Sequence, residues 1–286
     1  MKEASDVPFS RAGVAGLGLI GGSLALALRQ TGVQVAGFDL DENTVVAANA
    51  AGIKASALPD KLFDADIVFI ALYPDAAIGF VRENAACFKK GCVMVDCCGI
   101  KGRIVEELTP IAEASGFTFI GGHPMAGSEF GGFRAARADL FAGASFLLTP
   151  PASDLPQIAP LEQLLRRLGF AQVVVTNPAH HDRMIAFTSQ LPHALACAYV
   201  LSSSCPDHKG YSAGSYRDVS RVAHINPTLW AELFLENKDA FCAEMDEMIN
   251  HLQALRDAVV ADDRNALETL LRQARKRKDR DGTGDS

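Results

Sequence analysis

Gly16-Leu17-Gly18-Leu19-Ile20-Gly21 stands between an apolar tetrapeptide, Ala12-Gly13-Val14-Ala15, and the run Gly22-Ser23-Leu24-Ala25-Leu26-Ala27-Leu28-Arg29-Gln30. The tetrapeptide reads as a short buried strand, and the run as a helix closed by Gly32. A second apolar strand over residues 33–38 ends in Asp39, eighteen residues past Gly21. Strand, glycine turn, helix, strand and acid in this register form a dinucleotide-binding unit. The glycines permit a tight turn and close approach to a pyrophosphate, the helix N-terminus favours its charge, and the acid accepts from a ribose hydroxyl. Gly16, Gly18, Leu19, Ile20, Gly21 and Asp39 are the expected cofactor-binding residues.

Asp39 also bears on which dinucleotide is bound. A carboxylate at the end of the second strand repels a 2′-phosphate, and the neighbours Leu40, Asp41 and Glu42 add no compensating cation. NAD is therefore expected in preference to NADP. A second reading stays open here, in which Asp39 caps the helix that starts near Asp41.

The chain has 286 residues, enough for one large domain or two ordinary ones, and is 49% hydrophobic. Its net charge of −7 argues against a general binder of nucleic acid or membrane surfaces. The basic run Arg272-Gln273-Ala274-Arg275-Lys276-Arg277-Lys278 reads as a solvated helix end. No apolar stretch reaches eighteen residues, and the N-terminus shows no secretory pattern. The seven cysteines contain no C-x-x-C pair, so reduced thiols in a cytoplasmic protein, without a metal site, are expected.

Up to about residue 175, short apolar runs alternate with helical patterns. Strands are expected over residues 67–72, 93–96, 117–120, 145–148 and 172–175, with a helix over 102–115. This alternation predicts an α/β Rossmann-type, doubly wound parallel sheet. From residue 179 the strand signal vanishes, and helices are expected near 179–204, 227–249 and 251–277, the first kinked by Pro192. The boundary falls near Thr176-Asn177-Pro178, giving a dinucleotide-binding domain over 1–176 and an all-α domain over 177–286. The apolar helices of the second are expected to bury against another copy of the chain.

Two clusters could carry chemistry. Gly121-Gly122-His123-Pro124-Met125-Ala126-Gly127-Ser128-Glu129 follows a strand directly, so His123 would project toward the cofactor crevice and suit a general base. Ser189-Gln190-Leu191-Pro192-His193 offers a second imidazole. Tyr216-Arg217-Asp218-Val219-Ser220-Arg221 offers two arginines four apart, either of which could fork a substrate carboxylate or pair with Asp218 or Glu232.

Together, the fingerprint over 16–24, His-Pro-Met-Ala-Gly-Ser-Glu over 123–129, Leu-Pro-His over 191–193, and Arg-Asp-Val-Ser-Arg-Val-Ala over 217–223 with Asn226-Pro227 and Trp230 resemble the prephenate/arogenate dehydrogenase family. The resemblance runs in order from about residue 12 to 240. It implies NAD(P)-dependent oxidative decarboxylation of prephenate or arogenate in tyrosine biosynthesis, with CO2 released. It further implies His123 as catalytic base, His193 as the second active-site histidine and Arg221 as the substrate-carboxylate ligand, with Arg217 beside it. The family commonly carries a serine two residues before a lysine, where this chain has Gly99 before Lys101; Ser128 is a candidate replacement for its hydroxyl. Glu129 is a candidate contact for the side chain that distinguishes arogenate from prephenate. With no regulatory domain in the sequence, feedback by tyrosine would act at the active site.

Two other readings remain. One is a different dehydrogenase of the β-hydroxyacid group, which typically relies on a lysine in the helical domain; no lysine occurs between Lys101 and Lys209. The other is a non-catalytic NAD-binding sensor, which would not need His123, His193 and Arg221.

Overall fold

The computed structural model describes residues 8–128 and 130–281, apart from the side chains of 152–154 and 281. Eight strands form one sheet: β1 (Arg11–Ala15), β2 (Gln34–Phe38), β3 (Lys54–Ser56), β4 (Ile67–Ile70), β5 (Val93–Asp96), β6 (Thr118–Pro124), β7 (Ser145–Thr149) and β8 (Gln172–Val175), ordered β3-β2-β1-β4-β5-β6-β7-β8. From β1 the chain builds outward to β3 on one side, then returns to add β4 beside β1 on the other. That reversal opens a crevice at the carboxyl ends of β1 and β4, where a dinucleotide fits.

The expected parallel sheet holds with one correction: β7 runs antiparallel to β6, with His123 opposite Leu147. The described residues of 125–144 contain only turns, bends and a short 3-10 helix, not a crossover helix that would return the chain parallel. The three-residue β3 carries too little apolar pattern to have been expected.

Helices cover both faces. On one lie α1 (Leu19–Gln30) and α5 (Ile158–Arg167), whose Leu24, Leu28, Leu161, Leu164 and Leu165 are buried with Phe141 and Phe146. On the other lie α3 (Pro74–Asn84) and α4 (Gly102–Ser115), burying Ile78, Val81, Ile104 and Leu108. The short α2 (Glu42–Ala50) follows β2. Burial of such side chains stabilises each by roughly 1.5–3 kcal/mol, so the sheet and its carboxyl-end loops sit on a rigid base.

Beyond β8 the chain is helical. α6 (Pro178–Ile185) passes through a π turn at Ala186–Gln190 into α7 (Leu191–Val200). Pro192 follows the π turn directly within this continuous helical run, so the irregularity expected at the proline takes the form of a π turn in the preceding residues. α8 (Gly214–Ser220), α9 (Pro227–Glu236), α10 (Lys238–Val260) and α11 (Arg264–Asp281) follow. The expected helices over 227–249 and 251–277 are thereby re-divided, with breaks at Asn237 and at Ala261-Asp262-Asp263 and an unbroken helix across 249–251. Asp262 adopts the left-handed conformation (φ 52°) and Asp263 accepts from the Ala266 amide, so this acidic pair ends one helix and starts the next.

By compactness the chain divides into one unit ending at Asn237 and another beginning at Lys238. In the second, α10 and α11 leave Ile249, Leu252, Val259, Val260 and Leu271 exposed, and Ala258 is the single buried hydrophobic among the described residues. No described helix is long and apolar enough to cross a membrane.

Candidate active site

The glycine turn has the geometry of a phosphate cradle. Gly16 has φ +84°, and a Cβ there would lie 2.5 Å from the Ala71 carbonyl oxygen. A Cβ at Gly21 would overlap the Gly16 carbonyl. Gly18 faces open space instead, and it is partly exposed together with Leu19 and Ile20. That space lies at the first turn of α1, whose amides have no intrahelical acceptors, so the residues present fit a pyrophosphate.

Asp39 closes the cradle. One carboxylate oxygen accepts from the Leu17 amide at 2.8 Å and the other from the Asp41 amide at 2.9 Å. The cap of α2 is Asp41, which accepts from the Asn43 and Thr44 amides. Asp39 is thus free of the capping task and keeps unused lone pairs at the end of β2, where a ribose would lie.

His123 stands near the end of β6. Its Nδ1 lies 3.0 Å from His181 Nε2 on α6, and His181 Nδ1 lies 2.7 Å from Asp182 Oδ1. Asp182 also accepts from the Lys101 and Gly102 amides at 2.8 and 2.7 Å, supplying the N-terminus of α4 with the acceptors its own sequence lacks. Below lies a fully buried ion pair, Lys101 with Asp96. Asp96 Oδ1 further accepts from the Gly122 amide at 3.0 Å, which ties the residue before His123 to the end of β5. Burial, then His181 and Lys101, hold His123 well below the usual imidazole pKa. Burial also lowers His181, against the opposing pull of Asp182.

His193 belongs to a second group. Its ring stacks on Trp230 with centroids 3.9 Å apart, and its Nδ1 donates to the Ser189 carbonyl at 2.7 Å, leaving Nε2 for another partner. Its pKa is lowered by burial and by the nearby Arg221. The structure therefore brings Arg221 and His193 together, whereas Arg217 is highly exposed beside Asp218. Ser128 is exposed, and its hydroxyl oxygen accepts from the Phe130 amide at 3.2 Å. Glu129 lies outside the described residues.

Sequence reasoning passed over His181, Asp182, Lys101 and Asp96. The one visible signal was His181-Asp182 within an otherwise helical stretch, since the partners lie far apart in sequence. α9 is fastened to this unit by the ion pair of Arg103 with Glu236, and by Asn237 at its end, whose amide donates to the Asp182 carbonyl and to Gln190.

A doubly wound sheet with a glycine turn, an acid closing the ribose end and a histidine near the end of a neighbouring strand defines a dinucleotide-dependent dehydrogenase architecture. The chain belongs to the prephenate dehydrogenase family. The family's nucleotide-binding domain model matches residues 24–175, and its dimerization domain model matches 177–273. The chain is 32% identical over 282 residues to prephenate dehydrogenase of Bacillus subtilis, covering 94% of this chain and 75% of that one. It is 31% identical over 281 residues to cyclohexadienyl dehydrogenase of Zymomonas mobilis, covering 94% of each. Among solved structures, Synechocystis arogenate dehydrogenase superposes with a TM-score of 0.81 at 27% identity, over 94% of this chain and 99% of that one.

Proposed function

We propose that this chain is an NAD-dependent dehydrogenase that oxidatively decarboxylates prephenate, arogenate or both, yielding 4-hydroxyphenylpyruvate or tyrosine. The observation that carries the reading is His123, its Nδ1 engaged by His181 and its Nε2 left for substrate, on a sheet whose glycine turn cradles a dinucleotide. The relatives named for prephenate, cyclohexadienyl and arogenate oxidation support the substrate class.

Bound at the Gly18 turn, NAD supplies the acceptor for hydride from the ring carbon that bears the hydroxyl. His123 Nε2 accepts the hydroxyl proton as that hydride leaves. The bond from the ring to its carboxylate breaks, its electron pair completes the aromatic ring, and CO2 departs. His123 then returns the proton to the phenolic oxygen. Aromatisation makes the step effectively irreversible. His193 acts as the second histidine of the site, and Arg221 as the cation for a substrate carboxylate.

The reading assigns residues 1–176 to the cofactor and 177–286 to substrate and to pairing of two copies, for which the exposed apolar residues of α10 and α11 are available. It assigns the enzyme to the cytoplasm, in keeping with seven free cysteines. The direct test supplies NAD with prephenate and then with arogenate and follows NADH and CO2. Equal amounts of both products are expected from at least one substrate. No NADH from either would overturn the reading.

Asp39→Ser should weaken NAD binding and relax discrimination against NADP, because the repelling carboxylate is gone. Kd values for both cofactors check this; equal affinities in the unaltered protein would remove Asp39 from the role.

Arg221→Ala should raise KM for the substrate roughly 10- to 100-fold, the loss of a charge-assisted bond of about 1.5–3 kcal/mol. NAD affinity should barely change. Lys at this position should recover only part, lacking the planar fork. Arg217→Ala is the control and should cost less; the reverse ranking would exchange the two roles.

A further inference from the structure

A base needs only one nitrogen, yet His123 heads a chain of three side chains that runs back into the protein. We propose that His181, anchored by Asp182, is a positioning residue that holds His123 in its Nδ1–H tautomer and keeps the Nε2 lone pair presented to the substrate hydroxyl. The proposal deepens the functional reading above and rests on His123 being the base.

The hydrogen bonds admit one consistent pattern. Asp182 receives the Lys101 and Gly102 amides at the N-terminus of α4, where the helix dipole favours a carboxylate. Both Asp182 oxygens accept from those amides, so the carboxylate faces His181 as an acceptor, and His181 Nδ1, 2.7 Å away, carries a proton and donates it. In a neutral ring the other nitrogen is then an acceptor. His181 Nε2 therefore accepts from His123 Nδ1 at 3.0 Å, and His123 Nε2 retains its lone pair. The reverse arrangement would set a His181 lone pair against a carboxylate oxygen.

The charged groups around the two rings are Asp182 on α6, Lys101 before α4 and Asp96 on β5. Lys101 and Asp96 pair with each other, so neither supplies His123 with an alternative partner. Both rings are held below the usual imidazole range by burial, and so stay neutral near pH 7, as the pattern requires.

Without an acceptor at Nδ1, a neutral imidazole populates both tautomers, and one of them carries its proton where the base must be empty.

The test compares His181→Phe with His181→Gln in the full chain. Glutamine can accept from His123 and donate to Asp182; phenylalanine can do neither. The Phe variant should lose roughly 10- to 100-fold in kcat, with substrate KM and NAD affinity nearly unchanged. Its acid limb of kcat/KM should move to higher pH, because His181 no longer opposes protonation of His123. The Gln variant should recover most of kcat. Ring 15N spectra of the unaltered, substrate-free protein should show His123 protonated at Nδ1. A His123 protonated at Nε2, or equal losses in folded Phe and Gln variants with an unmoved pH profile, would overturn the proposal. Nδ1–H spectra from a protein that oxidises neither substrate would retain the tautomer assignment and reject the substrate reading instead.

Discussion

His123→Asn should lower kcat by roughly 10²–10⁴-fold while the protein remains folded. Asparagine keeps a polar side chain at the end of β6 but cannot accept a proton in the transition state. Unaltered NAD affinity, read by fluorescence titration, separates this from collapse of the site; near-normal turnover would remove His123 from the role of base. The pH behaviour follows from burial. His123 is held well below the ordinary imidazole value of about 6.5, so kcat/KM should stay level as pH falls past that value and decline only in more acid solution. Stability has a related dependence. In the unfolded chain both His123 and His181 take up protons near pH 6.5, whereas their depressed folded values resist protonation. Below about pH 6.5 the unfolded state therefore binds more protons, and stability present above that pH is progressively lost. The Asn variant lacks one of these groups, so its stability should fall less steeply on acidification.

Lys101→Met should destabilise the fold by about 3–5 kcal/mol, as expected when one partner of a buried ion pair is removed. Both side chains of the Lys101–Asp96 pair are fully buried. Asp96 would retain only the Gly122 and Cys98 amides as donors, and its charge would stay in the interior without a cation. The pair contributes little net stability relative to a well-packed apolar replacement; the loss arises from orphaning one half. Adding Asp96→Asn to Lys101→Met should therefore return part of the stability. Urea unfolding at neutral pH measures both effects, and a single variant within 0.5 kcal/mol of the unaltered protein, on the order of an ordinary surface substitution, would refute this account.

What could be read directly were features written in consecutive residues. The strand, glycine turn, helix and acid from Ala12 to Asp39 lie in one continuous stretch, and the helix over Gly102–Ser115 is bounded by glycines at 102 and 116. The reversal of β7 was hidden because strand direction depends on how the chain returns, and the described residues of 125–144 carry no crossover helix to signal it. The π turn before Pro192 was hidden for a related reason, since the pattern marks a helix through both segments but not how the proline is accommodated. At the site, His123 stood out by its glycine-rich setting and position after a strand. His181 did not, because its significance depends on His123 Nδ1, a contact across 58 positions of sequence. Lys101 and Asp96 likewise look like surface charges until the fold closes over them.

Asp39 holds the Leu17 amide with one oxygen and the Asp41 amide with the other, at the place where a ribose would lie. The residue that would discriminate between cofactors is therefore also a strut of the turn that would receive them. A lineage drifting toward NADP could not discard this carboxylate freely. Alanine here would leave two amides seeking acceptors and loosen the turn before any new phosphate contact had formed. Serine or asparagine would retain an acceptor for one amide, making them the accessible first steps, with a cation recruited near Leu40 only afterwards. The order in which cofactor preference can evolve in this protein is thus constrained by two backbone hydrogen bonds.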